Sequence, residues 1–461
     1  MTIVADRFEG FEAGTFEAIY GGSGLGSTHF DVQSTIKRNG VYALRANINN
    51  PGWAHRLGAL AEGAYVDGGQ GHRLINSGAS ALYTDGKGYF TGWLRIEGYP
   101  DVDTGILKAT NGLHTTGVNT DNLARIACTS VGVLKLQYNT GTDLSPTWTD
   151  IGSPSSALAL NTWYRIDMRS ENVRTSDQGT GIFELKLNGT QVAIGTGLTF
   201  IDSSVGLASC DGFSSYRLDA QNTGSTTPGD FYWDDCWVSE SAFAPDDGGV
   251  TVMTPNAAGN YSGWPSSNFA TVDEIPFDGT TTELSTTSTV TSTFGLTPTA
   301  AGGTVIGVRV VCTMKRTSTP VPRWQIIMRS GGTDLNSAES QGGESSAYPN
   351  AAELVAFVDP ATGIAWTLSA LDTLEAGLTH TATNAGSLQW TNVFVEVWSS
   401  NPSAQLRIPI ISSITPNSGA KAGGTAVTIS GSNFTGTTAV TIGGVDATAV
   451  TVVTDSSITW T

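Results

Sequence analysis

Residues 182–194, IFELKLNGTQVAI, decide the fold class. Phe183, Leu185 and Leu187 alternate with Glu184 and Lys186, the period of two that puts one strand face on a core. Asn188-Gly189 then stands where a two-residue hairpin turn needs two positive φ values. The same alternation recurs outward along the chain. In GYFTGWLRIEG (88–98), Phe90, Leu94 and Ile96 share one face and Thr91, Arg95 and Glu97 the other. VLKLQY (133–138) sets Leu134, Leu136 and Tyr138 against Lys135 and Gln137, and WYRIDMRS (163–170) sets Tyr164, Ile166 and Met168 against Arg165, Asp167 and Arg169. These read as antiparallel strands with one face on a core and one in water.

Composition agrees with many short strands joined by turns. Charged residues are 14% of the 461, the apolar 39% lies in short runs, and Gly is abundant at 56. No apolar run approaches the roughly 18 residues of a membrane helix, so membrane insertion is not expected. Residues 1–249 carry net -11, residues 250–400 net -7, and the remainder is neutral. No segment is basic, which argues against nucleic acid as a partner. The N-terminus has neither a basic nor an apolar signal region.

Three segments follow: 1–243, 250–400 and 409–461. The first opens with FEGFEAGTF (8–16) and GVYALRA (40–46). It continues through the strands above to VGLAS (205–209) and closes with FYWDDCWVSE (231–240). That order resembles the concanavalin A-like or laminin G-like jelly roll, a fold that implies glycan binding or a spacer role. Ala244-Pro245-Asp246-Asp247-Gly248-Gly249 reads as a linker.

The second segment places strands at 304–314, 323–330, 353–359 and 390–399. DPATGIAWTLSALDTLEAG (359–377) reads as a turn and a helix over Leu368–Ala376, closed by Gly377. Its DPxTGxxWT and LDxLExG patterns resemble a module of tailed-bacteriophage structural proteins, and a second β-sandwich with one short helix is expected. The third segment carries Ile414, Pro416, Gly419, Gly423-Gly424-Thr425, Val427, Ile429, Gly431, Asn433-Phe434, Val440, Ile442-Gly443-Gly444 and Asp455. It resembles an IPT/TIG immunoglobulin-like domain of which about 50 residues are present. More Ig-like chain beyond Thr461, or a strand donated by a neighbour, would complete it. The fold class expected is therefore all-β, sandwich and jelly-roll domains in series with an incomplete Ig-like end.

Chemistry is sparse. No GxSxG, HExxH, GxxxxGK[ST] or EF-hand motif occurs, and the ExDxxE strand of jelly-roll glycoside hydrolases is absent. The chain is read as not an enzyme. Asp101 and Asp103 have the spacing of a calcium loop but read as an exposed turn. Asp234-Asp235, on one strand, would point to opposite faces and could not ligate one ion together. One carboxylate accepting backbone N–H groups at the sandwich rim is the reading preferred to Ca²⁺, and no other cofactor is expected.

Trp53, Trp148 and Trp264 lie beside Pro or in loops where a ring could stack on a sugar, although core packing is the commoner use of Trp. His55 and His72 lie in an irregular Gly-rich region. Cys128, Cys210, Cys236 and Cys312 form no metal spacing; Cys312 reads as a buried thiol, and a Cys210–Cys236 bridge stays open. The phage resemblance implies a virion component, either fibre, tail-associated or head-decorating, at the virion surface. It would assemble in host cytoplasm, be released by lysis, and have other virion proteins, copies of itself in a trimer or ring, and a host glycan as partners. A lectin-like receptor-binding protein is the alternative, and a polysaccharide-degrading enzyme comes third.

Overall fold

The computed structural model describes residues 7–9, 30–47, 56–57, 87–111, 121–141, 146–172, 179–198, 215–221, 230–239, 241–245, 248–275, 283–298, 302–316, 322–341, 350–381, 387–400, 410–420, 423–432, 439–442, 445–454 and 457–460. The chain is all-β and divides into a unit over residues 1–403 and a second over 404–461.

Among the described residues, four antiparallel sheets build the first unit. Sheet I has eight strands, its centre formed by Gly88–Ile96 between Trp163–Glu171 and Asp230–Ser239. Sheet II has six, in the order Arg56–Leu57, Ser215–Gln221, Thr104–Asn111, Asp121–Cys128, Leu134–Asn139 and Trp148–Ile151. Sheet III is centred on Val305–Arg316 and Leu388–Ser399, and sheet IV on Val290–Leu296, Glu375–His380 and Arg323–Ser330.

The alternating residues define which faces meet. Phe90, Leu94, Ile166, Met168, Phe183 and Leu185 of sheet I pack on Leu107, Ile126, Leu134, Leu136 and Tyr216 of sheet II. Val308, Val310, Cys312, Met314, Val393, Val395 and Val397 of sheet III pack on Phe294, Trp324, Ile326, Met328 and Leu378 of sheet IV. The turn at Asn188-Gly189 has φ 50° and 76°, the pair of positive values its sequence requires.

The second face of sheet I is not in water. Trp237 of that sheet packs with Val250 and Trp398 of sheet III, the two rings 5.3 Å apart and edge-on, while Phe394 and Val311 join the sheet I core. The layers therefore run II, I, III, IV. The physical reason is the composition of sheet III's outer face: Val311, Phe394 and Trp398 are too apolar to leave exposed, and sheet I offers Trp237 opposite.

Several polar side chains in this seam are paired within it. Thr91 Oγ1 donates to Asp167 at 2.6 Å, and Arg165 reaches both Asp167 (3.0 Å) and the Ala244 carbonyl (2.9 Å). Arg309, 1% exposed, donates to Glu353 and Glu396 at 2.7 Å each. Ala244, at the start of the segment read as a linker, is itself buried and donates its N–H to Thr91.

The helix expected over Leu368–Ala376 is shorter, Leu368–Leu371, with Thr367 capping the Ala370 N–H. Glu375–His380 is a strand instead, paired on both sides. Gly377 does not cap the helix: a Cβ there would lie 2.0 Å from the Ser292 carbonyl oxygen, so the glycine serves close approach of two backbones.

In the second unit, Ile410–Thr415, Val427–Ser432, Ser457–Trp460 and Thr451–Thr454 form a four-stranded sheet around Ile429, Ile458 and Trp460. Gly423 and Gly424 take φ of 84° and 79°, as a turn there demands. Ile414 is exposed, and Phe434 lies outside the described residues.

Candidate functional site

Asp234 and Asp235 converge, against the expectation that one strand would part them. Asp235 has φ 47°, and the register with the Gly88–Ile96 strand shifts between Asp234 and Trp237. This β-bulge adds a residue and resets the alternation. Both carboxylates then meet the turn at Arg38-Asn39. Asp234 Oδ2 accepts the N–H groups of Arg38 (2.7 Å) and Asn39 (3.3 Å), and its Oδ1 accepts the Asp235 N–H (2.8 Å). Asp235 Oδ2 accepts from Arg38 Nη1 and Asn39 Nδ2, both at 2.6 Å, and its Oδ1 accepts the Val250 N–H at 2.6 Å.

Every oxygen of the pair is thus occupied by a donor. Burial pushes the Asp234 carboxyl well above its usual value, the neighbouring Asp235 charge adds to this, and the backbone donors oppose it. Burial also raises Asp235, against the Arg38 guanidinium and the Val250 N–H. The chemistry is that of a clamp: a turn of sheet I's side, a bulged strand and the first residues of sheet III are tied at one point. Arg38 also lies 3.5 Å over the Trp93 ring. Among the described residues, no three His, Cys, Asp or Glu side chains are grouped as a metal site would need.

A second constellation lies on sheet II, on the face turned away from the core. Leu107 and Ala109 enter the core, so Lys108 between them lies on the opposite face, as do Arg125, Lys135 and Gln137 on the next strands. The register sets Arg217, Lys108, Arg125, Gln137 and Asp150 in one row across five strands, and Arg56 pairs Arg217 at its end. Gln137 is held on both sides: its Oε1 accepts from Arg125 Nε at 2.7 Å and its Nε2 donates to Asp150 at 2.6 Å. The Arg125 guanidinium stands 4.4 Å over the Trp148 ring, and Lys135 pairs with Asp103 (3.0 Å) and Asp150 (3.6 Å). Lys108 is only 4% exposed and Gln137 5%, so the middle of this row is buried.

The residues singled out in the sequence are dispersed. Trp148 belongs to the sheet II face. Asp103 is tied to Lys135 there, with Asp101 exposed nearby. Trp264 is 2% exposed, donates from Nε1 to the Leu378 carbonyl at 3.1 Å and packs edge-on to Trp390; it is a core residue of sheets III and IV and presents no ring to a sugar. Trp53, His55, His72 and Cys210 lie outside the described residues, while Cys236 is a buried free thiol. Lys108, Arg125 and Gln137 were missed as site residues. Each strand shows its polar position, but the row exists only once Ser215–Gln221, about a hundred residues on, pairs with Thr104–Asn111.

Comparison with known proteins supports one domain. Residues 409–461 match the IPT/TIG domain family. No curated protein matches the chain by sequence. Solved structures that match include alginate lyase Aly36B in a mutant bound to alginate tetrasaccharide, at 14% identity and TM-score 0.30, covering 53% of this chain and 100% of that one. Alginate lyase A1-II′, of polysaccharide lyase family 7, matches at 14% and 0.30 over 47% and 86%. Trypanosoma rangeli sialidase with 2,3-difluorosialic acid matches at 13% and 0.29 over 46% of this chain and 27% of its own length. These neighbours are glycan-active enzymes, so the expectation that the chain is not an enzyme is withdrawn. At such TM-scores the likeness assigns it no activity either.

Proposed function

We propose that this chain is a structural component of a tailed-phage virion appendage whose four-layer body presents the outer face of sheet II to glycans on a host surface. One observation carries the glycan reading: on the outermost sheet, Trp148, Arg125, Gln137 and Asp150 form a connected row of ring, guanidinium, amide and carboxylate. Sugars are bound by such prearranged donors and acceptors beside an aromatic surface. The other face of that sandwich is occupied by sheet III, so in this reading the ligand meets the sheet II side, at its partly exposed residues Trp148 and Asp150.

The virion setting is supported by sandwiches in series and by the phage-like 359–377 pattern. Other virion proteins and symmetric copies of the chain are its partners in this reading, and the virion surface its location. A glycan array probed with the whole chain tests the binding, and hits are expected among bacterial surface polysaccharides. An array without hits refutes it. A reducing-end assay on each hit tells retention from cleavage. Proteomics of purified particles that failed to find the chain would refute the virion setting.

A further inference from the structure

We infer that the loop over residues 358–368 is a self-association surface, its exposed aliphatic tip meeting the same loop of a second copy of this chain across a twofold axis. This rests on the proposal above that symmetric copies of the chain are its partners, and names where they touch.

The fixed positions of the DPxTGxxWT pattern build the loop. Asp359 is 5% exposed; its Oδ1 accepts the Ala361 N–H at 3.0 Å and its Oδ2 the Thr362 hydroxyl at 3.1 Å. The Asp359 N–H donates to the Ile364 carbonyl and the Gly363 N–H to the Asp359 carbonyl, both at 2.8 Å, with Gly363 turning the chain at φ 70°. Trp366, 4% exposed, enters the core of sheets III and IV and donates from Nε1 to the Ala356 carbonyl at 3.0 Å. At the other arm Phe357 stands edge-on to Trp237 in the seam, ring centroids 5.6 Å apart. Both arms of the loop are thereby anchored.

What this frame holds out is apolar. Val358 is 49% exposed, Ile364 65% and Leu368 37%, three of the nine large hydrophobic side chains exposed among the described residues. Single exposed hydrophobics need no explanation, whereas a group of them on one loop marks a contact. A loop already fixed in shape also loses little freedom when it docks.

Charge selects the occupant. Residues 1–400 carry the whole net charge of -18, so two copies repel where their acidic surfaces approach. Residues 354–371 hold one charged side chain, Asp359, and it is buried. At this loop two like-charged copies can close without bringing carboxylates together. An apolar tip against its own image is self-complementary, so a twofold contact needs no separate receptor patch. Val102, an exposed aliphatic side chain elsewhere in the same unit, stands between the exposed Asp101 and Asp103, which would oppose such a contact.

One loop per copy makes a small interface, so a dissociation constant of about micromolar or weaker is expected in solution. Copies held side by side in a particle meet at an effective concentration of about millimolar.

The test is sedimentation equilibrium of the whole chain from about 1 to 500 μM. A reversible monomer–dimer equilibrium is expected. Its dissociation constant should fall about threefold between about 50 and 500 mM NaCl, because screening relieves the repulsion of the acidic bodies. I364E is expected to weaken the dimer about tenfold or more. V131E places the same charge on another loop, at a side chain 62% exposed, and should leave the dimer unchanged. Both variants should melt within a few degrees of the parent, since neither side chain is buried. In a C210S background, I364C is expected to form a disulfide-linked dimer under mild oxidation and V131C none, because residue 364 meets its own copy at the axis; Cys128, Cys236 and Cys312 are buried.

A chain still monomeric at the highest concentration, a dimer that I364E leaves intact, or one that V131E breaks equally overturns the inference. Binding of a monomeric parent to phosphatidylcholine vesicles, lost in I364E, gives the loop to a membrane and overturns it too. Particles found to lack the chain refute the virion setting alone and leave the dimer contact standing.

Discussion

Removing the Asp235 carboxylate should uncouple the two sandwiches. In D235A, the Arg38 guanidinium loses its Asp235 carboxylate while keeping the Gly248 carbonyl, Asn39 Nδ2 loses the same carboxylate, and the buried Val250 N–H loses its Asp235 acceptor. Breaking a buried ion pair by deleting one partner costs about 3–5 kcal/mol, and the Arg38 side chain, 16% exposed, regains some water, which favours the lower end. An unsatisfied buried N–H adds about 1–3 kcal/mol. The terms overlap, so about 4 kcal/mol is the working figure.

If residues 1–403 melt together, an entropy of about 2.1 cal/mol/K per residue gives about 0.85 kcal/mol/K for the unit, and the melting temperature falls by about 5 °C. Differential scanning calorimetry reads this directly. It should also show the single transition broadening or dividing, because the lost contacts join sheet I to sheet III. A D235A variant that melts within 1 °C of the parent in one unchanged transition would refute the clamp.

Further outcomes follow from the same geometry. The folded-state Asp234 carboxyl titrates well above its unfolded value, so its contribution is fully present below the unfolded value of about 3.9 and is lost as pH rises through the folded value. The stability of the parent relative to D234N should therefore decline from pH 4.5 to 7.5, and a constant difference in melts across that range would contradict it. G249A should destabilise by about 1–3 kcal/mol in urea unfolding, since its Cβ would fall 2.3 Å from Asn39 Nδ2 and 2.7 Å from Asp235 Oδ1; a neutral effect would show the clamp to be loose. Burial pushes the Cys128 thiol up to about 12 and raises Cys312 as well, so in a C210S background no thiol should react with Ellman's reagent at pH 8 until denaturant is added. Prompt reaction of the native protein would show that these cores open.

Strand identity was legible because period-two alternation is a local property. Phe90, Leu94, Ile166, Met168 and Phe183 all entered the core their spacing assigned. The fate of the opposite faces was not legible. Thr91, Arg165, Asp167 and Glu184 look like water-facing residues in sequence, yet each is buried. A polar strand face reads the same whether it meets water or a second polar-and-aromatic sheet, and only the complementary surface, here Val311, Phe394 and Trp398 of sheet III, decides between them. The short helix misread has a similar cause. Leu371 and Leu374 keep helical spacing, but pairing on both sides rewards Glu375–His380 as a strand with two ladders of hydrogen bonds, which local propensity cannot outweigh.

The two constellations differ in the same way. Asp234-Asp235 was visible as a pair, and its reading failed on a single backbone angle: an ordinary strand separates adjacent side chains, and a bulge at φ 47° brings them together. Nothing in DDC announces a bulge, because what stabilises it is the Arg38-Asn39 turn almost 200 residues away. The basic row was invisible for the converse reason. Lys108, Arg125 and Arg217 are each an unremarkable polar position on an amphipathic strand, and their sum depends on strand order, which places Ser215–Gln221 beside Thr104–Asn111. A sequence scanned for basic clusters finds none in this chain, since the cluster forms across strands and not along one. Charge on a β-protein is therefore to be counted by sheet face: by segment this chain is acidic throughout its first 400 residues, and by register Lys108 and Arg125 stand opposite each other on adjacent strands.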